Sequence, residues 1–354
     1  MAKVDRIIEL LETRIARGDY ALTAFPAEVR LADENGVSRM TARKAVLQLM
    51  ADGLLERDEV GRLCVTRNRV STRPLHIGFF SPMLNSSALR WRRAVEQVVH
   101  AHGGYVRCVP FHHWDDPMLL EAVDKFDGIF LGSPAEALPA NIAERLQTGR
   151  AKVVITGANY SHLGLASIDL VPTISVATLL DYLGELGHRR IAAFNTQPMD
   201  LVIERRLEQW QSWLGANDCS GELRNHPEAS YGEPMERAYA EAKIWLSSGE
   251  LKDSAVFCLT LPAAIGLMRA MGEKSLVPGR EISVCSANDE GLGRFLYPAV
   301  TSIQMPDPGP FLEECVQWMA GKEWTGPLFK RPQHAELFIG ESTSPPISVA
   351  DNNL

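Results

Sequence analysis

Arg39, Thr41, Arg43 and Lys44 carry the clearest chemical signal in this chain, because cations and a hydroxyl alternate there with small and apolar residues. On a helix, Ala42, Ala45, Val46 and Leu49 share one side, whereas Thr41, Lys44 and Gln48 point away from it and Arg43 flanks its edge. One side packs; the other is free to meet phosphates and bases. A merely solvated helix face has the same composition, so the surrounding elements must decide between the two. Other reactive groups do not converge. In the run 111–116, His112 and His113 are adjacent on a strand end and point to opposite sides, and no matching Cys/His set exists elsewhere, so no metal is expected. The sequence has no P-loop, nucleophile elbow, GxGxxG or Cys/His catalytic pairing. No catalytic residue and no cofactor are assigned, and an enzyme is not expected.

The elements that must position the Arg39–Lys44 face are legible. Val4, Ile7, Ile8, Leu11 and Ile15 form one apolar stripe of a first helix, with Gly18 where a C-cap belongs. A second short helix is predicted over residues 26–35, opened by Pro26 and closed by the Asn35-Gly36 turn. Ser38 then caps a third helix over residues 39–50. After Gly53, residues 56–65 read as two short strands with a turn near Gly61 and Arg62 at the tip, which makes a wing. Helix order, turn chemistry and wing together decide for a DNA-contacting face; Arg57 and Arg69 read as ordinary surface cations.

Charge is partitioned unevenly. The net charge of −8 argues against a nucleic-acid partner on average. Residues 1–70, however, hold 12 Lys+Arg against 11 Asp+Glu, and the acid excess lies in the remainder. A DNA reader with so little net charge depends on a few well-placed cations. With 45% apolar and 23% charged residues, the 354-residue chain is globular and large enough for two or three compact bodies. It has no run of about 20 apolar residues and no signal-peptide profile, so a cytoplasmic location is expected and no membrane contact. Six scattered cysteines without a CxxC pair read as reduced, buried small residues.

Residues 24–32, 36–45 and 53–55 resemble the GntR-type winged helix over about the first 68 residues. The resemblance implies that Arg39, Thr41 and Arg43 contact DNA as the third helix enters a major groove, with Glu28, Arg30, Ser38, Lys44 and Arg62 as further DNA-facing positions. Two departures stand out: Val29 replaces a usual Arg, so that one backbone contact is either lost or moved to Arg30, and Leu63 replaces a second wing Gly, which implies a wing of different shape.

Residues 67–74 are polar, basic and end in Pro, so residues 69–74 read as a tether between a domain at 1–68 and one at 75–345, with 346–354 as a tail. From Leu75 onward, apolar runs at 75–80, 105–109, 128–131, 153–155, 191–194, 256–259 and 282–285 read as buried strands alternating with crossover helices such as 88–102. The fold class is therefore α/β: repeated βα units imply parallel sheets, and about 275 residues fit two lobes with a ligand cleft beyond the strand ends. Runs at 126–131, 186–191, 264–266, 277–284, 298–303 and 336–343 resemble, in order and spacing, the LacI/GalR effector domain, which is similar to periplasmic sugar-binding proteins. A GntR-type reader joined to a LacI-type sensor resembles the arabinose-repressor arrangement. The tether shows no counterpart of the LacI hinge helix.

The same resemblance points to Arg206 as the sugar-binding arginine, whose planar fork suits adjacent hydroxyls or a carboxylate; a surface salt bridge is the alternative. Asn288 and Asp289 follow a strand end where the family has Asp-Asp, so they read as polyol ligands or as helix caps, and Thr260 joins the set. Asn85, Trp114 and Asn159 are loop candidates for the cleft, with packing as the competing reading. Leu261, Met305 and Gly340 stand where the family has Asp, Gln and Arg, which predicts an effector less polar than a simple sugar or a weakened site. The resemblance implies a homodimeric repressor that binds a palindromic double-stranded DNA operator under control of a small carbohydrate-like effector. Two other readings remain: a DNA-binding regulator with a degenerate pocket, controlled by a protein partner, and a carbohydrate-binding or processing module.

Overall fold

The computed structural model describes residues 3–66, 74–82, 88–172, 174–229, 232–249 and 251–347. Three helices open the chain: α1 (Lys3–Ala16), α2 (Glu28–Glu34) and α3 (Arg39–Ala51). Ile7, Leu11 and Ile15 of α1 pack with Leu31 of α2 and with Ala42, Ala45, Val46 and Leu49 of α3. Each such aliphatic side chain contributes about 1.5–3 kcal/mol by leaving water, apart from the smaller alanines. The expected face of α3 is thus the packed one. Helix α2 is shorter than predicted because Pro26 and Ala27 stay extended ahead of it. The wing follows as β1 (Leu55–Arg57) paired antiparallel with β2 (Leu63–Val65), Leu55 facing Val65. Gly61 makes the turn at φ +81°, a conformation that side chains with a Cβ resist.

The rest is two stacked α/β lobes. In the first, β3 (His76–Pro82), α4 (Ala88–Ala101), β4 (Tyr105–Phe111), α5 (Pro117–Ala122), β5 (Gly128–Gly132), α6 (Ala140–Thr148), β6 (Lys152–Thr156) and β7 (Ala166–Ile168) follow in turn. In the second come α7 (Ser175–Glu185), β8 (Ile191–Asn195), α8 (Leu201–Ala216), β9 (Leu223–Asn225), α9 (Pro234–Ser248), β10 (Ala255–Cys258), α10 (Leu261–Glu273), β11 (Ser283–Ser286) and β12 (Thr301–Gln304). Then α11 (Gly309–Met319) packs on α4, β13 (Phe329–Lys330) joins the first sheet and β14 (Glu336–Phe338) joins the second. The sheet orders are β13-β7-β6-β5-β3-β4 and β14-β12-β11-β10-β8-β9. All pairings are parallel except β14 against β12.

The chain therefore passes between the lobes after β7, after β12 and between β13 and β14, and a two-lobed body with a cleft results. One apolar core runs through both lobes, from Phe79 and Val154 to Phe257 and Leu312, while separate clusters fill the far side of each sheet. The short linking segment after α1 lays Ala21 and Leu22 on the cluster of the first lobe, and Asp19 lies 3.9 Å from Arg107. Strands β5, β8, β10 and β11 are buried along their whole length, as continuous apolar runs require. Strand β4 is only partly so, because it is a sheet edge.

The cysteines divide against expectation. Cys258, Cys285 and Cys315 are buried, Cys64 and Cys219 are half-buried, and Cys108 is exposed; the six form no disulfide with one another. Cys108 sits on the edge strand β4, which explains its exposure. No described helix is long and apolar enough to cross a membrane. Residues 67–73 lie outside the described residues, and with them most of the 69–74 tether, including Arg69.

Candidate functional site

Two sites emerge, one on the N-terminal helices and one between the lobes. On the first, Ser38 caps α3: its Oγ accepts the Thr41 amide at 3.2 Å. Arg39, Arg43 and Lys44 are exposed, and among the described residues their side chains form no hydrogen bond or ion pair. Thr41 is half-buried, with its hydroxyl 2.8 Å from that of Ser38. The remaining positions are more engaged. Arg30 stays 76% exposed but pairs with Glu34 at 2.8 Å, an i,i+4 bridge. Glu28 is half-buried and lies 3.4 Å from Arg57, whose Nη1 also donates to Gly61 O at 2.8 Å. That contact ties α2 to the wing, so Arg57 does more than the ordinary surface cation expected there. Arg62 is exposed beyond β1, while its amide donates to Asp58 Oδ1 at 2.7 Å.

The cleft has a volume of about 570 Å³ and lies at the carboxyl ends of strands from both lobes. Arg206 lines it. Helix α8 buries Ile203, Arg206, Trp210 and Trp213, positions spaced three and four apart, so an arginine occupies the apolar stripe. The surface-bridge alternative does not hold: Arg206 is 6% exposed, and its Nη1 donates to Leu259 O at 2.6 Å. Burial lowers its affinity for the proton, whereas the charges of Asp169, Asp200 and Glu290 raise it. Its Nε has no hydrogen-bond partner among the described residues.

Thr260 and Asn288 line the same cleft. Thr260 occupies the N-cap position of α10 without capping it. Asn288 does that instead, its Oδ1 accepting the Leu261 amide at 3.2 Å, and the buried Thr260 hydroxyl is left without a partner among the described residues. Asn288 is thus both a cap and a lining residue.

Three expected pocket residues stand elsewhere. Asp289 does not line the cleft; it is buried behind it, 3.7 Å from Arg90 Nη1, and accepts the Met305 amide at 3.5 Å. Arg90 Nη2 also donates to Met305 O and Pro306 O, so the pair fastens the crossing after β12 to α4. Trp114 is 1% exposed and donates Nε1–H to Glu136 O at 2.9 Å. It meets Tyr160 edge-on at 5.9 Å, so it supports a lining residue without being one. Asn159 caps the short turn at Ser161–Leu163, accepting from the Ser161 amide and hydroxyl. Asn85 lies outside the described residues.

Sequence reasoning missed the residues that give the cleft its character. Asp169 follows β7, a strand too short to read, and Glu290 lies in a turn at φ +46°. Asp200 caps α8, accepting from the Val202 and Ile203 amides at 2.9 and 2.8 Å. Burial pushes the Asp169 carboxyl up to about 6, against the Val171 amide and the charges of Arg206 and Arg331. Burial also raises Asp200 and the Tyr160 phenol. The lining is more charged than the substitutions at Leu261, Met305 and Gly340 predict. Leu261 is packed in the core behind the cleft, and a Cβ at Gly340 would lie 2.2 Å from Ala299 O, leaving no room there for a side chain.

Among the described residues no cluster of His, Cys, Asp and Glu has metal-binding geometry.

Residues 3–63 match the family of bacterial regulatory proteins called gntR, and residues 180–309 match the periplasmic binding protein-like domain. The transcription regulator GntR from Chromobacterium violaceum is similar in structure, with TM-score 0.62 at 18% identity over 76% of this chain and 99% of that one. The lac repressor dimer bound to operator and the anti-inducer ONPF gives 0.64 at 17% identity, over 77% and 95%. A periplasmic binding protein/LacI transcriptional regulator from Alkaliphilus metalliredigens QYMF, complexed with D-xylulofuranose, gives 0.60 at 17% identity, over 76% and 98%. At such identities these likenesses are of fold. No curated protein matches the sequence. The chain thus joins a gntR-family regulatory domain at residues 3–63 to a periplasmic-binding-protein-like domain matched over residues 180–309.

Proposed function

We propose that the protein is a homodimeric repressor whose affinity for a palindromic operator is set by a small, carbohydrate-like effector in the interlobe cleft. The observation that carries this is a pairing of two sites in one chain. Arg39, Arg43 and Lys44 project unpartnered from a helix whose opposite face is fully packed, and Arg206 lines a cleft with a buried donor unsatisfied. Arg39, Thr41 and Arg43 contact base edges and flanking phosphates, while Ser38, Lys44, Arg30, Glu28 and Arg62 position the helix and wing on the backbone. Arg206, Thr260 and Asn288 hold the effector. Asp289, Trp114 and Asn159 act behind the cleft surface.

Dimerisation has support in lobe two, where Leu292, Phe295, Tyr297 and Ile339 expose large apolar side chains, Tyr297 by 97%. The lac repressor of similar fold is a dimer on its operator. Effector binding shifts the lobes between two arrangements, and Leu22 on the first lobe offers a route by which the DNA reader feels the shift. A coupling of about 1–3 kcal/mol suffices for regulation. A cytoplasmic location belongs to the same reading.

Selection of bound DNA from a random pool by the full chain tests it. An inverted-repeat half-site is expected, with binding to it weakened by an effector. Absence of any sequence preference at moderate salt overturns the proposal.

A further inference from the structure

The cleft holds far more negative than positive charge. Asp169, Asp200 and Glu290 act electrostatically on Arg206, and Glu136 and Glu233 also line the space. Against these five carboxylates stand the Arg206 guanidinium and the exposed imidazole of His112. Walls of one sign focus potential and concentrate ligands of the other sign. A sugar acid would enter against that field.

Individual atoms narrow the choice. Asp169 is 9% exposed; Oδ1 accepts the Val171 amide at 2.9 Å, and Oδ2 has no partner among the described residues. Although both line the cleft, Asp169 and Arg206 do not form an ion pair with each other. Arg206 Nε and Thr260 Oγ1, in residues 6% and 7% exposed, are buried without partners. Such groups are stabilised strongly by a ligand that supplies the missing partner and oppose one that does not. Arg206 Nε–H requires an acceptor, the Thr260 hydroxyl takes either role, and Asp169 Oδ2 requires a donor, best a charged one. A hydroxyl next to an ammonium meets all three. A neutral sugar meets the first two but brings no positive charge to the carboxylate, which already draws on Arg206 and Arg331 without an ion pair to either.

Building on the effector reading above, we infer that the cleft's ligand is a hydroxylated organic ammonium, an amino sugar or amino alcohol in protonated form, held by Asp169 at its nitrogen and by Arg206 and Thr260 at a neighbouring oxygen. The carboxyl of Asp169, held near 6 by burial, is largely ionised at pH 7.5 and available to such a cation.

The test uses the full chain at pH 7.5 and matched probe sets: glucosamine, glucose and glucuronate; galactosamine, galactose and galacturonate; mannosamine, mannose and mannuronate. Each is screened by thermal shift and the hits by calorimetry. At least one amine is expected to raise Tm and to bind tenfold or more tighter than its neutral and acidic counterparts, and Asp169→Asn is expected to erase that preference without lowering the Tm of the unliganded protein. A neutral or acidic member binding as well as its amine, or an amine preference that survives in Asp169→Asn, overturns the inference and leaves the effector reading standing. Silence from all nine probes overturns both.

Discussion

Ser38 and Thr41 form a closed pair at the start of α3: the serine Oγ accepts the threonine amide at 3.2 Å, and the two hydroxyls lie 2.8 Å apart. The cap therefore orders the turn that carries Arg39 and Arg43. Losing an N-cap of this kind costs about 1 kcal/mol. Ser38→Ala should weaken the winged helix by that amount, while Ser38→Asn, which can still cap, should not. Hydrogen exchange at the first-turn amides of α3 reads the difference, and equal protection in the two variants would remove the cap from the account.

Arg43 should behave as a reader and Lys44 as a phosphate anchor. Neither side chain forms a hydrogen bond or ion pair among the described residues, so alanine at either position should change folding stability by less than about 0.5 kcal/mol. Arg43→Ala should lose about 1–3 kcal/mol on the selected operator and relax preference at one base position. Lys44→Ala should weaken binding to all sequences alike and lower the salt-dependence slope by about 1. Fluorescence anisotropy on specific and scrambled duplexes across salt concentrations separates the two behaviours; identical profiles would refute the assignment.

Tyr297 and Phe295 expose 97% and 78% of their surface in the single chain. Large aromatic groups left so open at one end of a lobe are expected to be covered by a partner, and truncating an anchor of this sort commonly costs about 2 kcal/mol of association. Tyr297→Asp should therefore raise the dimer dissociation constant at least tenfold in sedimentation equilibrium and weaken operator binding in proportion. A variant that remains as dimeric as the parent would locate the interface elsewhere.

Long, regular patterns were legible before the fold was known, and tertiary choices were not. The stripe of α1, the packed face of α3 and the seven apolar runs carry their period in the residues themselves. Strands β7, β9, β13 and β14 span three residues or fewer, too short for any period to register. Asn288 and Asp289 are adjacent and chemically alike, yet only the first lines the cleft, because Asp289 is drawn toward Arg90 and the Met305 amide by a chain crossing that no local pattern encodes. Arg206 did carry a local signal: an arginine in register with Ile203, Trp210 and Trp213 on one helix stripe is a buried arginine. The acidity of the cleft comes from Asp169, Asp200 and Glu290, which three separate segments bring together.

Asp169 should make the protein less stable as pH rises. Its folded-state carboxyl titrates at about 6 against an ordinary 3.8, so the folded state holds a proton that the unfolded chain has released between those values. Stability is fully present below 3.8 and is lost as pH climbs through about 6, by about 3 kcal/mol. Asp169→Asn removes the titration. Urea unfolding at pH 4 and pH 7.5 should show the variant gaining on the parent between the two, and a constant difference would rule out a buried, proton-retaining carboxyl.

His188 should act in the opposite direction. It is 1% exposed, with Nδ1 2.8 Å from Ser254 Oγ and Nε2 3.1 Å from Ser283 Oγ and 2.9 Å from Ser344 O, so it joins the strand ends of the second lobe to the returning chain. Burial holds its affinity for the proton below the ordinary 6.5, despite the Ser344 carbonyl. The unfolded chain therefore takes up a proton that the folded one refuses, and stability contributed above 6.5 is lost as pH falls below it. His188→Gln should be weaker than the parent at pH 7.5, through the loss of buried hydrogen bonds worth about 1–3 kcal/mol. Its stability should then fall less steeply between pH 7 and pH 5. Parallel pH profiles for parent and variant would mean that this histidine is already charged in the folded protein.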